Sequence, residues 1–217
     1  MSRTKDIYKA LEVTKKMFGV EADIFPATDE RVRLSAVTKD GRRIHGETAL
    51  DVAKYAEPYG IKKIYITPKN PIVNPRVLHN LNEADVIICG PGDLYTNQLP
   101  VLIVPQIKQQ LLNATSRKIL ILNIANKPHE TLGYSLGSFI NAIKEHLGVF
   151  PFDTIIVNSN QSIPIPSKYH RYTYILIDDE FRAGKQQFKI IEEDLVQKNI
   201  PIYHNPEKLA ETVIKNI

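Results

Sequence analysis

The feature that most constrains the fold is a short apolar run that ends in a pair of glycines. The run Val86 to Cys89 is entirely apolar, Gly90-Pro91-Gly92 follows at once, and apolar residues at helical spacing begin at Leu99. A continuous Val/Ile run is typical of a parallel strand that is buried on both faces. The sequence therefore predicts a strand that opens through a tight loop into a helix. Ligands of open α/β sheets bind beside such loops.

Strand-like and helix-like segments alternate along the rest of the chain. The predicted strands are 22–25, 32–37, 61–67, 118–124, 152–157, 172–177 and 200–203, with a hairpin turn at 39–42. The predicted helices are 4–18, 47–59, 75–81, 99–112 with a break at the prolines, 131–147, 185–198 and 206–214. This order predicts an α/β fold, a Rossmann-like three-layer αβα sandwich with a mostly parallel sheet and a small antiparallel hairpin excursion. We expect a single domain over residues 1–217.

Composition narrows the classes of function. The chain has 217 residues, 43% hydrophobic residues and a net charge of +4, without a basic run, so nucleic acid is not an expected partner. A single cysteine, Cys89, permits no internal disulfide and favours a reducing compartment. No apolar stretch is long enough to span a membrane, and we expect a cytoplasmic protein. With no paired metal-type histidines, no metal site is predicted.

Polar residues follow three of the predicted strands. Because the carboxyl ends of parallel strands meet at one edge of a sheet, we expect these residues to converge on one ligand crevice. Glycine N–H groups and hydroxyls suit a phosphate, and amide side chains suit hydroxyls or a uracil-like base. The candidate ligand-binding residues are Gly90, Pro91, Gly92, Asp93, Leu94, Tyr95, Thr96, Asn97, Asn123, Asn126, His129, Glu130, Thr131 and Asn158.

Each of these motifs also has an ordinary structural explanation. The two glycines can simply form a tight strand-to-helix turn, and Asn126 and Thr131 can cap the helix that follows. His129 and Glu130 could act as an acid and base pair, but adjacent loop side chains usually point apart, which favours a solvated His129. The acidic run 178–180 could bind a divalent ion, although a surface turn is more usual for such a run. No catalytic residue is identified from the residues alone.

Several blocks resemble the YvcK/CofD family. Residues 90–100 resemble its G-P-G-S-L-Y-T-S-x-x-P block, and residues 123–131 are similar to its N-L-M-T-Q-P-G-E-T block. Residues 204–210, His-Asn-Pro-Glu-Lys-Leu-Ala, are similar to the ending of the YvcK branch. Upstream, Pro26-Ala27-Thr28 and His45-Gly46-Glu47 match shorter elements, so the resemblance extends over nearly the whole chain.

The resemblance implies two alternative activities. The YvcK branch, called gluconeogenesis factor, binds UDP-type nucleotide sugars and acts in carbon metabolism and in cell-wall or cell-shape control, without an established reaction. The CofD branch transfers a phospholactyl group from a guanosine diphosphate carrier and uses magnesium. The C-terminal block favours the YvcK branch, so we expect a small anionic nucleotide ligand, no certain cofactor, and no catalysis. Magnesium is expected only for a transferase.

Two departures from the family pattern lead to further expectations. Family members begin with a G-G-G-T-G phosphate loop, and no glycine cluster precedes Gly19 here. We therefore expect a chain that is N-terminally truncated relative to the family. It could form a homo-oligomer, or pair with a chain that carries the missing half. A third alternative is a degenerate structural or interaction module that pairs with another chain through an exposed sheet edge. Asp93 replaces the serine of the first block, and we expect its carboxylate to repel a phosphate bound there.

Overall fold

A computed structural model describes residues 7–51, 60–182 and 186–217 of the chain. The described helices are α1 (Ile7–Phe18), α2 (Glu47–Asp51), α3 (Pro75–Glu83), α4 (Leu99–Leu102), α5 (Pro105–Asn113), α6 (Leu136–Leu147), α7 (Asp179–Arg182) and α8 (Pro206–Ile214). The strands are β1 (Arg33–Thr38), β2 (Arg43–His45), β3 (Ile61–Thr67), β4 (Val86–Cys89), β5 (Arg117–Ile121), β6 (Ala125–Asn126), β7 (Thr154–Asn158), β8 (Thr173–Tyr174) and β9 (Lys189–Glu193). None of the helices in these ranges is long and apolar enough to cross a membrane.

The centre of the fold is a four-stranded sheet in the order β4-β5-β7-β9, in which every neighbouring pair is parallel. Helices α4 and α5 connect β4 to β5, and α6 connects β5 to β7. The predicted α/β fold with a mostly parallel sheet is confirmed. Because β4, β5 and β7 are parallel neighbours, their carboxyl ends lie together at one edge of the sheet.

Alternation of side chains along the central strands builds a core on each face of the sheet. Leu120 on β5 and Ile155 on β7 belong to the larger core cluster, which the side chains of α3 to α6 help to fill. Their neighbours Ile121 and Ile156 point to the opposite face and belong to a second cluster, against which Leu209 of α8 packs. Helices therefore cover both faces of the sheet.

Two small antiparallel sheets stand beside the central one. Strands β2, β1 and β3 form the first, and the hairpin predicted at residues 39–42 joins β1 to β2. The bounds predicted for β3 are confirmed, but β3 pairs antiparallel with β1 and is not part of the parallel sheet. The second is a two-residue ladder between β6 and β8, in which Asn126 lies opposite Thr173.

One predicted helix is wrong. Residues 185–198 were expected to form a helix, but Lys189–Glu193 is the parallel edge strand β9, which pairs with β7. Phe188, Ile191 and Leu195 have the three- and four-residue spacing of a helix face. Pairing with β7 and burial of Ile191 override that pattern.

Other differences concern short or terminal segments. Residues 22–25 and 200–203 form no strand. The segment predicted as a strand at 172–177 forms a ladder over two residues and a single parallel bridge between Leu176 and Ser135. Helix α6 begins at Leu136 and not at the predicted residue 131, because residues 127–134 form turns. Gly148 ends the helix as predicted, and its backbone lies in the left-handed region. The prolines break the helical segment 99–112 into α4 and α5 as predicted. Of the helix predicted at 47–59, residues 52–59 lie outside the described residues.

Candidate functional site

Gly90 is the point where the loop after β4 meets the end of β5. Its φ is +89°, in the left-handed region, and a Cβ there would lie 2.5 Å from the carbonyl oxygen of Ile121 and 2.5 Å from Gln98 Nε2. Glycine is therefore required for local packing. The structural explanation of Gly90 as a tight turn is sufficient, and the Gly90–Pro91 peptide bond within this turn is cis.

The segment after the glycine loop is a π-helical turn, Leu94–Gln98, that directs most of its side chains into the core. Leu94 and Thr96 are buried, and Gln98 Nε2 donates a hydrogen bond to the Ile121 carbonyl oxygen at 3.3 Å. Asn97 is exposed and faces the crevice described below. Of this candidate block, Pro91, Gly92, Asp93 and Asn97 line the crevice.

Tyr95 lies in the interior of the protein. It is 2% exposed, its hydroxyl is 2.9 Å from the Tyr134 hydroxyl, and its ring packs edge-on against Tyr134 and His146. Burial and the neighbouring Tyr134 hydroxyl raise the pKa of Tyr95. The structure places Tyr95 in a buried aromatic cluster, away from the crevice.

An ion pair joins the loop after β4 to the segment that follows β6. Lys127 Nζ lies 2.7 Å from Asp93 Oδ2, and Asn123 Nδ2 donates to Asp93 Oδ1 at 3.0 Å. Both side chains of the pair are mostly buried, with 17% of Lys127 and 24% of Asp93 exposed. The expected repulsion of a phosphate by Asp93 is therefore offset, since Lys127 supplies an opposite charge at contact distance.

Around this pair lies a polar crevice of about 490 Å³ at the carboxyl ends of β4 and β5. It combines residues from both family-like blocks with residues of the C-terminal block. The lining residues are Pro91, Gly92, Asp93, Asn97, Asn123, Ile124, Ala125, Lys127, Tyr172, Ile202, Tyr203 and His204.

Tyr172, Tyr203 and His204 line the crevice but were not among the candidate residues. Burial lowers the pKa of His204 to about 4, and the backbone of Leu122 opposes that shift. Its Nε2 atom is buried without a hydrogen-bond partner among the described residues. The resemblance of residues 204–210 to the family ending is the sequence feature from which this side of the crevice could have been predicted.

The remaining candidate residues of the second block lie outside the crevice. Thr131 Oγ1 accepts a hydrogen bond from the Lys127 backbone N–H at 3.0 Å, so it closes the turn that positions Lys127 and does not cap α6. Asn126 is buried and faces a different cavity. Glu130 is 1% exposed and His129 is half-buried, so the expectation of a solvated His129 is wrong. Neither side chain lines the crevice.

Asn158, at the end of β7, organises the neighbouring loops. Its Oδ1 accepts hydrogen bonds from the backbone N–H groups of Leu195 at 3.1 Å and Asn160 at 3.3 Å, and Nδ2 donates to the Asn160 carbonyl. The side chain is 5% exposed and does not line the crevice. The third strand end therefore contributes structural support.

Among the described residues, the acidic side chains do not form a magnesium site. In the part of the chain that the structure describes, no group of three or more His, Cys, Asp or Glu side chains could hold a metal ion. In the crevice, Asp93 supplies the carboxylate and is already paired with Lys127. In the run 178–180, Asp178 Oδ2 accepts a hydrogen bond from Gly137 N–H at the start of α6. The residues present therefore do not fit the magnesium that a transferase would require.

Comparisons of the sequence with known proteins agree on one family. The family model described as 2-phospho-L-lactate transferase CofD matches residues 1–196. The gluconeogenesis factor of Bacillus subtilis is 33% identical over 215 residues, which cover 97% of this chain and 66% of that protein. The putative gluconeogenesis factor of Aquifex aeolicus is 30% identical over 216 residues, with 98% and 65% coverage. The chain thus spans slightly less than two thirds of the length of these relatives.

Comparison with solved structures gives the same relationship. The crystal structure of a member of the UPF0052 family from Bacillus halodurans aligns with a TM-score of 0.82 and 29% sequence identity. The alignment covers 96% of this chain and 66% of that one. The similarity in fold therefore extends over nearly the whole of this chain.

Proposed function

This chain belongs to the CofD family, which includes the gluconeogenesis factors, and from that membership we propose that it is a regulatory protein that binds a nucleotide sugar. The proposed ligand is a UDP-sugar, and the proposed site is the crevice at the ends of β4 and β5. The protein would bind the ligand without turnover and act in carbon metabolism and in control of the cell wall or cell shape.

The observation that carries this proposal is the position of Lys127 in the crevice. Its ammonium group is held at 2.7 Å from Asp93 in a space of about 490 Å³. A diphosphate near Lys127 gains charge-assisted hydrogen bonds, and the amides of Asn97 and Asn123 supply further donors. The rings of Tyr172 and Tyr203 supply flat surfaces for a base or a sugar.

Asp93 keeps Lys127 in place but also opposes an incoming phosphate. In the unliganded protein the carboxylate neutralises the ammonium group, and the Asn123 amide holds the carboxylate from its other side. A bound diphosphate would share Lys127 with Asp93, and the nearby negative charge of Asp93 would repel it. We therefore expect modest affinity, weaker at high salt, because exposed phosphates are screened.

Isothermal titration calorimetry with UDP-N-acetylglucosamine tests the proposal directly. We expect saturable binding that Lys127→Gln weakens, while Lys144→Gln, an exposed lysine on α6, leaves it unchanged. GDP serves as the competing nucleotide. Absence of UDP-N-acetylglucosamine binding, or equal binding by the Lys127 variant, would contradict the proposal.

Phospholactyl transfer is the second candidate, favoured by the description of the family model. It predicts binding of GDP in preference to UDP and formation of a transferred product only when magnesium is present. The pairing of Asp93 with Lys127 argues against it, because the crevice carboxylate is not available to a metal ion. A magnesium-dependent product would replace the proposal of binding without turnover.

Pairing with another chain through the edge of the central sheet is also a proposal. Among the described strands, β4 pairs only with β5, and Ile88 on β4 is 45% exposed. An apolar groove of about 320 Å³ runs beside it, lined by Leu81, Val101 and other side chains. Light scattering of the purified chain tests this: a dimer supports pairing between two copies, and a monomer excludes it at that concentration.

A further inference from the structure

A second cavity of about 610 Å³ lies beside the short ladder of β6 and β8. It adjoins the crevice, since Tyr172 lines both spaces. Asn126 and Lys127 are neighbours in the chain, yet Asn126 lines this cavity and Lys127 lines the crevice. The two spaces therefore flank the same short segment of backbone.

Asn126 has a buried hydrogen-bond acceptor that is not used within the protein. The residue is 1% exposed, and its Nδ2 donates to the Tyr134 carbonyl oxygen at 2.7 Å. That bond fixes the orientation of the amide, so Oδ1 is the remaining polar atom. Oδ1 is buried and has no partner among the described residues. A buried acceptor left without a donor is unfavourable, so a ligand that brings a donor would bind more tightly there.

The lining of the cavity indicates which ligand could bring that donor. None of the described residues that line it carries a charged side chain. Tyr134, Tyr172 and Tyr174 contribute aromatic rings, and Gln161 and Thr173 contribute polar groups. Burial of a charged ligand in such a lining is unfavourable, whereas a flat uncharged ring can lie against tyrosine. The crevice differs because it contains Asp93 and Lys127.

We propose that this second cavity binds an uncharged ring compound that donates an N–H or O–H hydrogen bond to Asn126 Oδ1. A nucleoside base and a sugar share this chemistry, because each has an apolar face and polar hydrogen-bond donors at its rim. The site is separate from the proposed nucleotide-sugar crevice, and it does not depend on a phosphate or on Lys127.

The test is a titration of the full chain with uridine and, separately, with N-acetylglucosamine, followed by two-dimensional amide NMR. We expect at least one of them to shift the amide signals of residues around Asn126 and Thr173, with a Kd of about 1 mM or tighter. Shifts from uridine assign the site to a base, and shifts from N-acetylglucosamine assign it to a sugar. Absence of saturable shifts with both probes would mean that the cavity holds only solvent, and would overturn the proposal.

Variants separate this cavity from the crevice. Because a change at buried Asn126 could disturb folding, the main variant is Leu176→Arg, at a cavity-lining residue that is 58% exposed. It places a bulky charge at the rim and should weaken binding of the probe at least tenfold. The matched control is Leu132→Arg, at a residue that is 51% exposed and lines neither space.

Lys127→Gln provides the opposite comparison. It should leave binding of the uncharged probe unchanged while weakening that of UDP-N-acetylglucosamine, so the two proposals can fail independently. If Lys127→Gln weakens binding of the probe and Leu176→Arg does not, the probe binds in the crevice. That result would also overturn the proposal for the second cavity.

Discussion

Asp93 Oδ2 accepts a hydrogen bond from Lys127 Nζ at 2.7 Å, across a gap of 34 residues in the chain. The contact joins the loop after β4 to the segment that follows β6, so it holds together the two blocks that resemble the family motifs. It also changes the expected effect of Asp93 on a bound phosphate. The carboxylate stands where the family pattern has serine, but it lies beside an ammonium group of opposite charge.

Changing the two partners should have opposite effects on the proposed nucleotide-sugar binding. Asp93→Asn removes the negative charge that faces the phosphates and frees Lys127, so affinity should rise about three- to tenfold, equivalent to about 0.7 to 1.4 kcal/mol. Lys127→Gln should lower affinity by about tenfold or more. Calorimetry on both variants and on the double variant measures the coupling between the residues. Lower affinity after Asp93→Asn would show that Asp93 supports the ligand.

The same pair should contribute little to stability. Although only 17% of Lys127 and 24% of Asp93 is exposed, the pair lines the crevice, so solvent reaches it and we expect a contribution near the range of about 0 to 1 kcal/mol for exposed pairs. Urea denaturation should therefore give both single variants a free energy of unfolding within about 1 kcal/mol of the wild-type value. A larger loss would mean that the contact mainly stabilises the fold, and any effect on ligand affinity would then need to be corrected for unfolded protein.

Gly90→Ala should be much more destabilising than Gly41→Ala. Both glycines have a φ of +89°, so both substitutions force a side chain into the left-handed region, at a cost of about 1 to 3 kcal/mol. A Cβ at Gly41 meets nothing within 4 Å, whereas one at Gly90 lies 2.5 Å from the Ile121 carbonyl oxygen. Urea denaturation compares the two. Equal losses would show that the loop moves away from β5 at little cost.

Tyr95→Phe should lower stability without changing the affinity for a ligand in the crevice. The substitution removes the hydroxyl that contacts Tyr134 at 2.9 Å in the interior. Loss of a buried hydrogen-bond partner costs about 1 to 3 kcal/mol. The control is Tyr65→Phe, because Tyr65 is 44% exposed, and a surface change of this kind stays within about 0.5 kcal/mol. Weaker ligand binding by a fully folded Tyr95→Phe variant would show that Tyr95 contributes to ligand binding.

Local sequence patterns predicted the central strands well and the segment around β9 poorly. Val86 to Cys89 is a continuous apolar run with a glycine stop, and both signals point to a buried strand. Ile191 and Leu195, by contrast, fit a helix by spacing alone, and only contact with β7 makes Lys189–Glu193 a strand. The π-helical turn Leu94–Gln98 was not predicted either, and no local pattern indicates the hydrogen bond from Gln98 to the distant Ile121 carbonyl oxygen.

The sequence predicted that polar residues meet at the carboxyl ends of the parallel strands, but the positions of individual side chains required the structure. Strand order and direction bring Asn97 and Asn123 to one crevice, as the polar strand ends indicated. Motifs do not show which side chains turn inward, and Tyr95 and Asn158 do so. Lys127 was missed because no sequence pattern joins it to Asp93, which is 34 residues away.

His204 should make stability depend on pH between about 4 and 6.5. Burial lowers its pKa from the ordinary value of 6.5 to about 4 in the folded protein, so the unfolded chain binds a proton more readily over this range. Stability contributed by the neutral imidazole is present above pH 6.5 and is lost as the pH falls toward 4. The loss should approach about 3 kcal/mol, since one pKa unit corresponds to about 1.4 kcal/mol. Denaturant unfolding of the wild-type protein and of His204→Gln, at several pH values between 4 and 6.5, measures this loss of stability. The difference between the two proteins should change with pH in that direction, because carboxylates common to both cancel. A difference that stays flat would mean that His204 is solvated in the folded protein, and the crevice would then be more open on that side.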